Sequence, residues 1–244
     1  MFGSTLYGGA GSDVFGTAQR LGTGAIYRQD PDASFRLLHT FSPLVGNLDG
    51  MYPTDNLLVD GGVVWGTTAY GGANGVGVVF SLQPDGQGFT VVHAFDSVGG
   101  CSPDGGLVSD HGGQLYGTAT ACGGGLAGVI YRIDVATGAY TVIHTFAGKD
   151  GAYPTGTLAR AASGKLYGVT HGNSGFYEGV GIGGRGTVFQ LDPATGVLVT
   201  LHTFNLSDGS NPRRGPVFGP DGALYGVTQF GGAADMGVVY RQTL

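Results

Sequence analysis

Charge is scarce in this chain. Asp, Glu, Lys and Arg make up 11% of the 244 residues, and the net charge is −6. Nonspecific nucleic-acid binding needs Lys and Arg clustered against phosphates, so it is excluded. Hydrophobic residues nevertheless reach 41%, which excludes a disordered, self-solvating polymer. No apolar run approaches the roughly 20 residues of a membrane helix, so no membrane insertion is expected. No stretch carries the apolar period of an amphipathic helix. P-loop, nucleophile-elbow and HExxH signatures are missing, and the Gly-Gly loops have no helix behind them to seat a phosphate. Only two cysteines occur, without a second Cys/His pair at ligand spacing, so neither a metal nor a cofactor is expected.

What the chain has in excess is glycine, 51 residues without the Gly-X-Y period of collagen. Glycine at this level serves tight turns between many short strands. One phrase recurs: MFGST at Met1–Thr5, VWGTT at Val64–Thr68, LYGTA at Leu115–Ala119, and LYGVT at Leu166–Thr170 and Leu224–Thr228. A period of roughly 50–60 residues points to a propeller, a solenoid or an array. After each phrase comes a strand of the Thr187–Leu191 type (TVFQL), then one of the Leu198–Phe204 type (LVTLHTF). A loop containing Asp-Gly and Pro, such as Asp150–Pro154, leads to a fourth strand of the Gly156–Ala159 type.

Four antiparallel strands per unit, repeated about five times, predict an all-β fold: a five-bladed β-propeller. The strand after the Asp-Gly/Pro loop is innermost, the LYG strand second, the TVFQL strand third and the LHTF strand outermost. The chain is expected to be a single repeat domain over 1–244, with units at about 1–62, 63–113, 114–164, 165–222 and 223–244. The opening residues read as part of a repeat, not as a signal peptide. On this register the first and last blades are incomplete, and their open edges invite a homo-oligomer.

Taken together, Gly-x-Leu-Tyr-Gly-Val-Thr, Gly-Gly, Gly-Thr-Val-Phe-x-Leu, Leu-His-Thr-Phe, Asp-Gly and Pro resemble the Gloeo_Verruco (GloVer) tandem repeat of bacterial secreted and surface proteins. Nearly the whole chain takes part in the resemblance. It implies an extracellular or cell-surface setting, often with a separate C-terminal anchor, and carries over no catalytic residue.

A residue present once per unit reads first as scaffold. His39, His93, His144 and His202 share one position in the LHTF strands, and Tyr116, Tyr167 and Tyr225 one position in the LYG strands. Asp49, Asp150 and Asp208 precede Gly and are expected to form turns through side-chain to backbone hydrogen bonds. Cys101 and Cys122 do not repeat. They lie in neighbouring loops on one face of one blade, where a disulfide is plausible; two unpaired structural cysteines are the alternative.

Function is sought where the repeat is broken. In the fourth unit a short Gly-Gly loop expands to His171–Arg185, which carries Tyr177 and the only glutamate of the chain, Glu178. Arg213 and Arg214 stand where other units have Thr54-Asp55, Asp104-Gly105 or Thr155-Gly156. A further enlarged loop is expected at Gly8–Gly24, with Asp13 and Arg20. His171, Tyr177, Arg185, Arg213 and Arg214 are expected on one sector of one face.

Three chemistries fit these residues. A glycan-binding site takes an acidic polysaccharide on Arg185, Arg214, Glu178, Tyr70, Asp55 and Asp104, with Tyr7, Phe176 and Phe230 as further stacking surfaces. A polysaccharide lyase acting on a uronic acid uses His171 or Tyr177 for proton transfer and Arg213 for the carboxylate. Hydrolysis by paired acids draws on Asp55, Asp104 and Glu178. Against all three stands a purely structural repeat that spaces or self-assembles.

Overall fold

Gly-bounded runs of β-branched and aromatic residues become short antiparallel strands throughout the computed structural model, which describes residues 14–18, 23–42, 47–54, 56–172 and 184–244. The first sheet holds β1 (Val14–Ala18), β2 (Ala25–Gln29) and β3 (Phe35–Thr40). In the second, β4 (Met51–Pro53) and β5 (Leu58–Asp60) share the inner edge beside β6 (Val63–Tyr70), β7 (Val78–Leu82) and β8 (Thr90–Ala94). The third comprises β9 (Val108–Ser109), β10 (Gln114–Ala119), β11 (Val129–Asp134) and β12 (Tyr140–Thr145). The fourth comprises β13 (Pro154–Arg160), β14 (Leu166–Thr170), β15 (Thr187–Leu191) and β16 (Leu198–Thr203). The fifth holds β17 (Val217–Phe218), β18 (Leu224–Val227) and β19 (Val239–Gln242). Strand order within the sheets is the expected one. The second to fifth sheets each take their inner strand from the end of the preceding sequence unit, so units and sheets interlock.

One expectation is corrected. The strand paired with β2 is Val14–Ala18, not Met1–Thr5, and it lies inside the stretch read as the enlarged loop Gly8–Gly24. Its Gly16 sits opposite Tyr27, as Gly66 sits opposite Phe80 and Gly117 opposite Tyr131. Val-Phe-Gly-Thr-Ala meets the packing demand of the phrase, with Phe15 buried, and reaches β2 through the shorter connection at 19–24. Met1–Thr5, Tyr7, Asp13 and Arg20 lie outside the described residues.

The register explains the phrase. The Phe that ends each outer strand inserts against the aromatic of the next sheet's third strand. Ring centroids are 5.6 Å apart for Phe41–Phe80, 5.2 Å for Phe95–Tyr131, 5.5 Å for Phe146–Phe189 and 5.1 Å for Phe204–Tyr240. That third-strand ring lies over the glycine of the Leu-Tyr-Gly phrase. A Cβ at Gly117 would run into Tyr131, and one at Gly168 into Phe189, so only glycine fits.

A backbone latch accompanies each insertion. Tyr52, Ser102, Tyr153 and Asn211 all adopt left-handed φ, between 53° and 60°, each immediately before a proline. Each donates its N–H to a carbonyl in the loop of the preceding sheet: Thr23, Val76, Ala127 and Arg185, at 2.7–2.8 Å. Bulky residues in this region cost about 1–2 kcal/mol, offset here by the bond to the neighbouring sheet.

The repeated His and Asp are partners. His39 contacts Asp49 at 3.2 Å, His144 contacts Asp150 at 2.7 Å and His202 contacts Asp208 at 3.2 Å. Each aspartate also accepts a backbone N–H, from Ser42, Ala147 and Asn205 respectively, which is the turn device read from the sequence.

Tyr131 is fully buried where the second and fourth sheets have Phe80 and Phe189, and its hydroxyl has no partner among the described residues. Burial holds its phenol well above the usual range. An unsatisfied buried hydroxyl costs about 1–3 kcal/mol. Tyr131→Phe is therefore expected to raise the denaturant midpoint, and a stability loss of about 1 kcal/mol or more would show that the hydroxyl is paired.

Candidate functional site

The residue after each latch proline faces the axis on which the inner strands converge. These are Thr54, Asp104, Thr155 and Arg213. The Thr155 hydroxyl donates to the Asp104 carboxylate at 2.6 Å and lies 3.3 Å from the Arg213 carbonyl, so three inner strands are joined here. Thr67 donates to the Gly105 carbonyl at 3.0 Å, and Thr54 sits 2.7 Å from Thr67. One level along the strands, Asn56 donates to Thr157 at 2.7 Å, and the Gly106 N–H donates to the same hydroxyl at 3.0 Å. Short side chains and glycines make this close approach possible.

Above that clasp a cavity of about 480 Å³ opens to solvent, lined by Tyr52, Thr54, Ala69, Tyr70, Asp104, Arg213 and Arg214. Its size lies within the usual range for small-molecule sites, about 300–1,000 Å³. The rings of Tyr52 and Tyr70 meet edge to face at 5.9 Å. Arg213 donates through Nε to Gln229 at 2.8 Å, which fixes the arm of the guanidinium. A second cavity of about 530 Å³ is walled by inner-strand residues including Leu57, Leu107, Leu158 and Phe218; Arg214 lines both. Two cations, one acid and two phenols thus share the first cavity.

The structure brings Arg213, Arg214, Asp104 and Tyr70 together around this cavity; of the five residues expected on one sector, only Arg213 and Arg214 line it among the described residues. Arg185 is exposed and does not line the cavity. Asp55, Tyr177 and Glu178 lie outside the described residues, as does Phe176, so the paired-acid arrangement has Asp104 as its one described member. Phe230 is exposed and bridges to Ser210, away from the cavity lining. Tyr52, Thr54 and Ala69 escaped the sequence reading. Tyr52 occupies the latch position, where its equivalent Tyr153 is buried, and only the three-dimensional arrangement puts its ring at the axis.

His171 stands beside this group. Its backbone N–H donates to Tyr153 at 2.9 Å, and its Nδ1–H donates to the Gly172 carbonyl at 2.8 Å. Nε2 therefore carries the lone pair; it is buried and unpartnered among the described residues. Burial, and next the charge of Arg213, hold the imidazole below its ordinary pKa. His171 is not among the residues that line the cavity.

Cys101 and Cys122 form a disulfide with Cα atoms 5.4 Å apart. The bridge ties the strand that delivers Asp104 to the loop after β10, where Cys101 and Ala121 exchange backbone hydrogen bonds at 2.8 and 3.1 Å. Among the described residues no group of three or more His, Cys, Asp or Glu is placed to hold a metal, and no helix is long and apolar enough to cross a membrane.

Successive antiparallel sheets around an axial cavity define a β-propeller-like protein. Residues 1–182 match the Gloeobacter/Verrucomicrobia repeat, and the chain belongs to that family. No curated protein matches it. Among solved structures it is similar to one of a nidogen/laminin complex, with 17% identity and a TM-score of 0.61, covering 94% of this chain and 76% of the other. TolB from Acinetobacter baumannii shares 17% identity at a TM-score of 0.58, over 95% of this chain and 52% of TolB. An oligogalacturonate lyase in complex with manganese shares 12% identity at a TM-score of 0.59, over 96% of this chain and 62% of the lyase. The chain thus spans between 52% and 76% of the length of these structures, and the likeness is one of fold.

The disulfide closes a sequence separation of 21, for which chain entropy gives about 3 kcal/mol. Reduction, or Cys101→Ser with Cys122→Ser, is expected to lower unfolding stability by about that amount. An unchanged denaturant midpoint under reductant would contradict it.

Proposed function

We propose that this chain forms five consecutive blades of an extracellular or cell-surface propeller and that its axial cavity recognises an acidic polysaccharide. The observation that carries the reading is the pairing of Arg213 and Arg214 with Tyr52 and Tyr70 around one cavity. Guanidinium groups pair with carboxylates through two parallel hydrogen bonds, and the planar side matches a uronate. Phenol rings offer an apolar face to a sugar and a hydroxyl to its oxygens. Asp104, oriented by Thr155, accepts from sugar hydroxyls and disfavours a ligand whose charge lies on that side. The disulfide supports an oxidising compartment.

β-Elimination is the second reading, favoured by the buried Nε2 of His171, which has no partner among the described residues and lies near Arg213. There a base removes the uronate C5 proton, the arginine holds the carboxylate, and an acid protonates the departing C4 oxygen. For this His171 has to gain access to the cavity, which its burial opposes.

Titration calorimetry against polygalacturonate, alginate and neutral dextran separates the possibilities. Binding to the acidic polymers alone is expected, weakened at least about tenfold by Arg213→Ala with Arg214→Ala, since a hydrogen bond to a charged group contributes about 1.5–3 kcal/mol. Equal affinity in the double variant would remove this cavity from consideration. Release of unsaturated uronate, abolished by His171→Ala while binding persists, would establish the lyase; binding without release would reject it for those polymers.

A further inference from the structure

The second cavity, of about 530 Å³, lies further along the inner strands than the first, where β5, β9 and β13 run toward their hairpins. Its size again falls within the usual range for small molecules, about 300–1,000 Å³. Leu57, Leu58, Leu107, Val108 and Leu158 make much of its wall apolar. Among the described residues that line it none is acidic, and three are basic: His111, Arg160 and Arg214.

Arg160 breaks the repeat here. It pairs with Leu166 as Val59 pairs with Val64, Ser109 with Leu115 and Phe218 with Leu224. A cation therefore stands where the other sheets have an apolar or small side chain. Other arginines are tied down, Arg28 and Arg36 by Asp30, Arg241 by Asp221 and Arg213 by Gln229. Arg160 is half-buried and makes no hydrogen bond or ion pair among the described residues. A guanidinium partly buried beside leucines without a counter-ion is unfavourable, and an incoming anion removes that cost.

His111 is held from the neighbouring sheet. Its Nδ1–H donates to Asp60 at 2.6 Å, the Ser109 hydroxyl donates to the other Asp60 oxygen at 2.8 Å, and the His111 N–H donates to the Ser109 hydroxyl at 2.8 Å. Ser109 is thus turned to the carboxylate and not to the imidazole, so the group is no nucleophile–base pair. The ring is a positioned polar contact with Nε2 left for a ligand.

We propose that this second cavity binds an aliphatic carboxylate, with its chain against the leucines and Val108 and its head group on Arg160, beside His111. The apolar wall selects the chain. Three basic groups without an acid select the sign of the head group, and the guanidinium fork matches a carboxylate. Neither Arg160 nor His111 lines the first cavity, so the site is independent of the polysaccharide reading.

Titration calorimetry on the purified chain with hexanoate, heptanoate and octanoate tests this, with octanol and octylammonium as controls. Affinity is expected to rise about fourfold for each added CH₂. Octanol should bind at least about tenfold more weakly than octanoate, and octylammonium not at all. Arg160→Met should weaken octanoate at least about tenfold, while Arg160→Lys keeps most of the affinity and Arg213→Ala leaves it unchanged. Circular dichroism checks that each variant is folded, and Arg160→Gln replaces Arg160→Met if that variant is not. Absence of saturable octanoate binding overturns the proposal, as does octanol binding as tightly as octanoate, or wild-type affinity in Arg160→Met. Loss of octanoate binding in Arg213→Ala would place the acid in the first cavity and overturns it too.

Discussion

The rest of the structure depends on an aromatic side chain of one sheet seated on the ring of the next. Phe41, Phe95, Phe146 and Phe204 each cross to a neighbour, and each lands on a ring already pressed onto a glycine. A sheet cannot bury these groups alone, so its stability belongs to the pair, as in other quasi-one-dimensional repeat proteins. This accounts for the glycine of the recurring phrase, while most other glycines take left-handed φ in the turns. The second strand must be flat where the ring lies, and the faces between sheets have no room for ions. The latch residues before proline keep the same spacing by backbone alone, which lets their side chains vary from Tyr to Ser to Asn.

That division of labour makes the site possible. Packing occupies the faces of the sheets, and the latch fixes where each inner strand begins. The residue just after the proline is therefore positioned by neighbours yet free in identity. Thr54, Asp104, Thr155 and Arg213 fill this position in four successive sheets. Two of them are tied together by a hydroxyl–carboxylate bond, and the arginine opens toward the cavity with Arg214 behind it. Chemistry at the axis can change without disturbing a single ring–ring contact. His171 belongs to a different tier, held by backbone bonds beside the cavity and not in its wall.

Strand order was legible because residue type alternates with the sheet faces and each turn carries Asp, Gly or Pro. Arg213 and Arg214 were legible as a break at a position that is otherwise small or acidic, and the structure places both in the wall of one cavity. The first strand was not. Met-Phe-Gly-Ser-Thr and Val-Phe-Gly-Thr-Ala satisfy the same local pattern, and only the pairing of Gly16 with Tyr27 chooses between them. The histidine–aspartate partnerships were also hidden, since ten or fewer residues of sequence separate them but a bulge in each outer strand turns the imidazole toward the loop. Tyr52 was hidden because its position varies between Tyr, Ser and Asn from sheet to sheet, and only the fold puts its ring in the cavity wall.

Unfolding of Phe146→Ala by denaturant tests the central constraint most directly, because this side chain is fully buried and belongs to the outer strand of one sheet and the core of the next. Truncating a buried Phe costs about 3–5 kcal/mol, and the account predicts a loss of that size in a single cooperative transition. A loss below about 1 kcal/mol, or melting of one sheet ahead of the rest, would contradict it.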